Sequence, residues 1–312
     1  MSAERETSAA QNVTIDLERL SDLSLTSYNN LQSSFFRSCS PEEIVPRLPP
    51  PDEVLQALSG RGYGIVTFEH LRLVVKYGGP SEVRLEGAVA MQAVQQAFQT
   101  GDVPVPELFG WRVHEGLNFI YMSLVPGITL SQVWTDLDQA EKSSVASDLR
   151  QIVVKLRSVT RSSDQQLIGS INGGAVLDNF FRGTKEGGPY DSVREFNNAL
   201  SSAAVPEILA VGDGFEDPYR ELLGDEHPVY LCHADLNLTN VMVSGSAGSR
   251  SVSGIIDWDQ SGWYPEYWEY CKMAISIHYE HEWRTASYLD LVTGAFEDEF
   301  LALAEYTSWR GF

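Results

Sequence analysis

Residues 231–243 read LCHADLNLTNVMV. Two β-prone runs, one ending at Cys232 and one resuming at Val241, enclose a loop carrying His233, Asp235, Asn237 and Asn240. A polar turn with Asx caps would account for the asparagines alone. A His, an Asp and an Asn pinned on so short a loop point further. An Asp beside a substrate hydroxyl can orient it and accept its proton. An Asn amide oxygen five residues later can serve a hard, oxygen-seeking cation such as Mg²⁺. Asp235 and Asn240 are the candidates for these roles, and His233 is assigned a structural hydrogen-bonding role.

Working outward, GIIDWDQ at 254–260 sets Asp257 after two β-branched residues, Ile255 and Ile256, at the end of a strand. Across a hairpin from Asn240, Asp257 becomes a second Mg²⁺ ligand, and Asp259 either adds to the site or is solvated. Upstream, SGRGYGIVTFEHLRLVVKYGG at 59–79 reads as a hairpin whose second run ends in Lys76. Glycines between strands, Gly62 and Gly64 among them, let the backbone approach a phosphate. Glu86, on the predicted helix that follows, would hold the Lys76 ammonium in place. A phosphate-gripping Lys, its Glu partner, a hydroxyl-orienting Asp and two oxygen ligands are the parts of phosphoryl transfer. That chemistry is mostly positioning and charge neutralisation.

At 312 residues, 43% hydrophobic and 11% aromatic, the chain can bury a large core in one domain or two lobes. Forty-three acidic residues against 22 basic ones give a net charge of −21, which disfavours nucleic acid and anionic membrane as partners. The excess reads either as a solubility device or as a draw for a cationic substrate. Three cysteines do not make a disulfide framework or a zinc site, and Cys232 and Cys271 read as buried free thiols. No apolar run spans a membrane and the N-terminus is no secretory signal, so a cytoplasmic location is expected. Residues 1–45 read as an extension, flexible or forming short helices, ahead of the proline cluster at 46–51. Residues 46–125 alternate strands with one helix and read as a small, mostly β N-lobe. Residues 126–312 are mostly helical, and the spacing of Val145, Leu149, Ile152, Val153 and Leu156 is that of an amphipathic helix.

HADLNLTNVMV followed by GIIDWD resembles the catalytic and metal-binding segments of the aminoglycoside phosphotransferase family, a small-molecule branch of the protein-kinase-like fold, and most closely its fungal-type group. VPVPELFGW, IYMSLVPGITLSQVW, IGSINGG and GWYPEYWEY extend the likeness over roughly residues 60–275. The resemblance implies an α+β bilobal kinase-like fold, ATP or GTP with Mg²⁺ in the cleft, and transfer of the γ-phosphate to a hydroxyl. It makes Asp235 the catalytic base, Asn240 and Asp257 the Mg²⁺ ligands, and Lys76 with Glu86 the phosphate grip. Met122 to Leu124 become the hinge against the purine. Ala234 stands where the family usually has Gly, Asp259 where Glu is frequent, and Ser123 where the hinge often has Glu.

Protein kinases place a long activation segment between the metal-binding Asp and a Pro-Glu pair. Here Pro265-Glu266 begins eight residues after Asp257, leaving no room for one. A small hydroxylated acceptor is therefore expected, and the protein itself is expected to be a monomer or homodimer. The C-terminal segments carry Glu280, Glu282, Asp290, Glu297, Asp298 and Glu299 among aromatics including Tyr279, Trp283 and Tyr288. As a pocket lining they would suit a cationic acceptor; otherwise they are solvated faces and core. A kinase-like pocket turned to another reaction or to pathway regulation is the alternative, and a Ser/Thr protein kinase a third reading.

Overall fold

The computed structural model describes residues 13–37, 47–57, 62–99, 101–161, 167–185, 187–205 and 216–311. Its N-terminal half is built on a five-stranded antiparallel sheet in the order β2-β5-β6-β4-β3. Here β1 is Val13–Ile15, β2 Ser27–Asn29, β3 Gly64–Phe68, β4 Leu73–Gly78, β5 Leu108–His114 and β6 Leu117–Ser123. The expected hairpin is β3–β4, with Ile65 opposite Lys76 and a left-handed Arg72 (φ +50°) closing the turn. Alternation places Leu73, Val75 and Tyr77 fully in the core while Lys76 faces the opposite side. Short helices α1 (Ser34–Arg37) and α2 (Pro51–Ala57) precede the hairpin, and α3 (Leu85–Ala97) covers the sheet with Ala88, Met91 and Val94 buried.

The remainder is dominated by helices. α4 (Leu130–Val133), α5 (Gln139–Arg157), α6 (Val193–Ala204), α7 (Trp268–Ser276), α8 (Glu282–Thr285), α9 (Tyr288–Thr293) and α10 (Glu297–Arg310) follow in order. α5 starts at a capping box in which Asp138 and Glu141 exchange side-chain and backbone bonds. Two small sheets run through this half. One orders β10 (Val229–Cys232), β13 (Gly262–Pro265) and β9 (Gly169–Ser170). The other orders β12 (Ser251–Ile255), β11 (Val241–Ser244) and β7 (Ile128–Thr129). Stacked Tyr264 and Trp268, with Phe196 edge-on to both, form an aromatic centre.

Where it is described, the N-terminal segment forms a 3-10 turn at Leu17–Arg19 and the short helix α1, together with two short strands that the sequence did not announce. β2 is the edge of the five-stranded sheet, and β1 pairs in parallel with β8 (Val159–Arg161) just beyond α5. Runs of three residues carry no readable period, and their pairing is decided by distant partners such as Trp111, whose indole N–H donates to Leu25 O (2.8 Å). Cys232 and Cys271 are buried free thiols, as expected; Cys39 lies outside the described residues. No helix among the described residues is long and apolar enough to cross a membrane.

Candidate active site

The polar loop is pinned as its flanks require: Cys232 pairs with Gly262 in β13, and Val241 with Ile255 in β12. His233 is fully buried. Its Nδ1 accepts the Asp235 amide (3.2 Å) and its Nε2 lies 3.1 Å from Ile256 O, a donor-and-acceptor pair that fits the neutral ring. Burial holds its pKa below the ordinary value. Beneath it lies Glu269 of α7, itself buried. Its carboxylate accepts the amides of His233 (2.7 Å) and Ala234 (3.1 and 3.2 Å). Ala234 needs that clamp, because its φ of +63° is left-handed, a conformation suited to the Gly the family usually has there.

Asp235 and Asn240 meet within the loop. The Asn240 amide donates to Asp235 O (2.9 Å) and Oδ2 (3.0 Å), and Asn237 Nδ2 donates to Oδ1 (3.2 Å). Burial raises the pKa of Asp235, while the Lys272 ammonium of α7 pulls the other way. Ile256 N donates to Asn240 O (2.9 Å), extending the hairpin by one rung and delivering Asp257 to the same place. Asp257 is itself left-handed (φ +66°), which turns its carboxylate out of the strand.

Lys76 reaches across from β4 to Asp257 Oδ1 (2.7 Å) and Asp259 Oδ2 (2.8 Å). Burial alone would lower its pKa, but the two carboxylates together outweigh burial and raise it. The expected partner, Glu86, makes no ion pair with it. Asp259 has that position because α3 approaches it through Gly87: a Cβ at Gly87 would sit 2.4 Å from Asp259 Oδ1. Thus the glycine face of the first turn, not its glutamate, meets the lysine's partner. Asp259 is held with a raised pKa, chiefly by burial and against the pull of Lys76.

Two adjoining cavities share Ile65, Lys76, Asp257 and Asp259. One, of about 340 Å³, has an apolar wall of Val74, Met122, Leu124 and Met242, and reaches Asn240. The other, of about 540 Å³, is polar, runs past Gly64 and Arg84, and reaches Asp235. Met122 and Leu124 therefore wall the first cavity, although the amides of Ser123 and Leu124 are already bonded to Glu107 O and Arg72 O. Gly64 lines the second cavity. Gly62 does not, and a Cβ there would meet nothing within 4 Å.

The model of the family described as "Phosphotransferase enzyme family" matches residues 56–312. The chain belongs to that family. No curated protein matches it in sequence. Among solved structures it is similar to a thermostable mutant of aminoglycoside phosphotransferase APH(4)-Ia in ternary complex with ADP and hygromycin B, at 15% identity and TM-score 0.49. That match covers 82% of this chain and 88% of the other. Aminoglycoside-3'-phosphotransferase of type VIII is similar at 19% identity and TM-score 0.48, over 83% and 98% of the two chains. The GDP complex of aminoglycoside 2'-phosphotransferase-IIIa is similar at 13% identity and TM-score 0.47, over 81% of each. The α+β architecture expected from the sequence, with its β-sheet N-terminal and helical C-terminal regions, is the one this phosphotransferase has.

The phosphotransferase residues suit Mg²⁺. Asn240 Oδ1 and Asp257 Oδ2, hard oxygen donors, receive no hydrogen bond among the described residues, while their partner atoms are engaged. No group of three or more His, Cys, Asp or Glu among the described residues could hold a metal by itself. Asn240 and Asp257 would therefore share the ion with phosphate oxygens and water, the usual division for Mg²⁺.

Of the two readings of the acids in the C-terminal segments, the structure supports solvated faces and core over a pocket lining. Glu282 pairs with Lys142 (2.6 Å) and accepts the Trp134 indole (3.1 Å); Glu299 faces His227 (2.8 Å). Trp283 and Tyr288 are core. None of the six acids lines a cavity that reaches Asp235. Glu269 and Asp178 were missed in the sequence. Asp178, fully buried, accepts from Trp268 Nε1 (3.1 Å), the Phe180 amide (2.8 Å) and Lys272 Nζ (3.0 Å). Glu269 sits within the family-like stretch GWYPEYWEY, the one signal that could have marked it.

Proposed function

We propose that this phosphotransferase moves the γ-phosphate of ATP or GTP to a hydroxyl of a small molecule, using a nucleotide lobe that ends near residue 125. The carrying observation is convergence: Lys76, Asn240 and Asp257 line one cavity, Lys76, Asp235 and Asp257 line the next, and both belong to one cleft. The apolar cavity behind Met122 and Leu124 suits a purine. Lys76, on the shared wall, is placed to hold phosphate oxygens, and Gly64 bounds the polar cavity. Mg²⁺, held by Asn240 and Asp257, would neutralise charge on the phosphates. Asp235 would orient the acceptor hydroxyl and take its proton as the new O–P bond forms. Glu269 and His233 keep that carboxylate still, so little reorganisation is needed at the moment of transfer.

Support for a small acceptor comes from the chain after Asp257. Four residues lead to β13, which pairs directly with β10, and no segment intervenes on which a peptide could dock. The test is thermal unfolding with Mg·ATP and Mg·GTP, for the parent and for Asp257→Asn. Nucleotide at a hundred times its dissociation constant adds about 2.7 kcal/mol. A Mg²⁺-dependent upshift that disappears in the variant supports the reading; no shift with either nucleotide rejects it.

A further inference from the structure

Beyond Asp235, on the side away from the nucleotide cavity, a cavity of about 210 Å³ lies between α7 and α10. Asp235 and Lys272 stand in its wall with Phe180, Ile275 and Leu303. At Ile275 and Thr307 it adjoins a second hollow of about 400 Å³, lined by Phe300, Ala304, His278 and Arg284. Together they make a groove that starts at the proposed base and ends on the surface.

Its charge is the reverse of the chain's. The protein carries −21 overall, yet among the described residues Asp235 is the one carboxylate in either wall, and the outer hollow has none. Arg284 stacks on the Phe300 ring (4.7 Å) and, among the described residues, has no carboxylate within 4.0 Å. Lys272 spends two of its three N–H donors on Asp178 (3.0 Å) and Gln260 (3.4 Å), which leaves one for an occupant. Ile275, 38% exposed, and Tyr279, 65% exposed, add open apolar surface along the path.

Resting on the kinase reading above, we propose that this groove binds the phosphoryl acceptor and that the acceptor is an alcohol with an apolar body and a carboxylate remote from the reacting hydroxyl. The hydroxyl meets Asp235 and Lys272, the body lies on Ile275, Leu303 and Phe300, and the carboxylate meets Arg284. An ammonium group at that far end would be set against Arg284, with no carboxylate lining the hollow among the described residues. Arg is suited to the task, since its planar fork matches a carboxylate. In transfer, the acceptor O–H proton passes to Asp235, the acceptor oxygen bonds to the γ-phosphorus, and the bond to the β-phosphate oxygen breaks to leave the nucleoside diphosphate.

The test uses the full chain with Mg·ATP and two matched sets of alcohols. One set is omega-hydroxyoctanoate, octanol and omega-aminooctanol; the other is para-hydroxymethylbenzoate, benzyl alcohol and para-aminomethylbenzyl alcohol. Transfer is followed with labelled γ-phosphate, and binding by calorimetry in Mg·AMP-PNP. The carboxylates should exceed the amines at least about tenfold in kcat/KM or affinity, about 1.4 kcal/mol. Arg284→Gln should abolish that preference and Arg284→Lys restore part of it, with nucleotide affinity unchanged in both. Equal or better binding of the amines overturns the proposal, as does failure of every alcohol to bind while Mg·ATP binds. If Mg·ATP does not bind, the kinase reading falls instead, and the carboxylate preference in calorimetry still decides the groove.

Discussion

Glu269, from α7, grips the amide of Ala234 through both carboxylate oxygens, at 3.1 and 3.2 Å, and the amide of His233 at 2.7 Å. A buried carboxylate is costly unless hydrogen-bonded, and here its bonds go to the backbone that carries the proposed base. Core and site are thus joined at one residue.

Glu269→Gln keeps the shape but replaces one acceptor oxygen with a donor that faces the Ala234 amide from the Oε1 position, or both amides from the Oε2 position. A loss of about 1–3 kcal/mol in stability is expected, the cost of a buried unsatisfied group. Turnover should fall with nucleotide affinity little changed, because Lys76 and Asp257 are untouched. Denaturant unfolding and nucleotide calorimetry on the same variant measure both; an unaltered midpoint would remove Glu269 from this role.

Ala234 is left-handed and fully buried. Ala234→Gly should be tolerated within about 1 kcal/mol, relief of the conformation offsetting the flexibility gained by the unfolded chain. Ala234→Val combines a β-branched residue with the same φ and has no room, so it should cost more than about 2 kcal/mol and abolish transfer. Equal stability of the two variants would contradict the backbone geometry.

Gly87→Ala places a methyl group 2.4 Å from Asp259 Oδ1 and 3.1 Å from Asp259 Cα. Since the backbone cannot yield as a side-chain tip can, a cost of about 1–3 kcal/mol is expected, with weaker nucleotide binding as Asp259 shifts from Lys76. Glu86→Gln, one residue away, should leave both quantities unchanged. Equal losses in the two variants would restore Glu86 to the grip.

For Asp235, burial raises the pKa and Lys272 opposes it. The folded chain therefore binds this proton more tightly than the unfolded chain, and stability falls as pH rises from the ordinary carboxylate value of 3.8 through the higher folded value. Asp235→Asn removes that loss. The variant should be the more stable at neutral pH and show a shallower fall across the acidic window, while transfer drops by about 10²–10⁴-fold. Thermal unfolding at acid and neutral pH with single-turnover transfer checks each part; retained transfer would exclude Asp235 as the base.

Much of this site was legible because polar residues interrupt β-prone runs at fixed places. His233, Asp235 and Asn240 declare themselves between β10 and β11, and Asp257 stands out after Ile255 and Ile256. The alternation of β4 likewise marks Lys76 as facing away from Val75 and Tyr77. What stayed hidden depends on contacts far apart in sequence. The partner of Lys76 depends on how closely α3 approaches a loop 170 residues away, which the small size of Gly87 permits. Glu269 looks like any helical glutamate until α7 is docked beneath the loop. The acids of the last segments could not be sorted into lining or surface without Lys142 and His227, which take Glu282 and Glu299 from the path to Asp235.

The pairing of β1 with β8 and of β2 with β5 gives the molecule a second tether. Chain crosses between the sheet half and the helical half not only at 124–127 but again at 16–26. A plate joined to its base at one point can swivel and rock freely; joined at two, it swings about the line between them. Any opening and closing of the cleft between the two halves would thereby be confined to one axis, and cutting the chain between Ile15 and Ser27 should set that motion free while leaving Lys76, Asn240 and Asp257 in place.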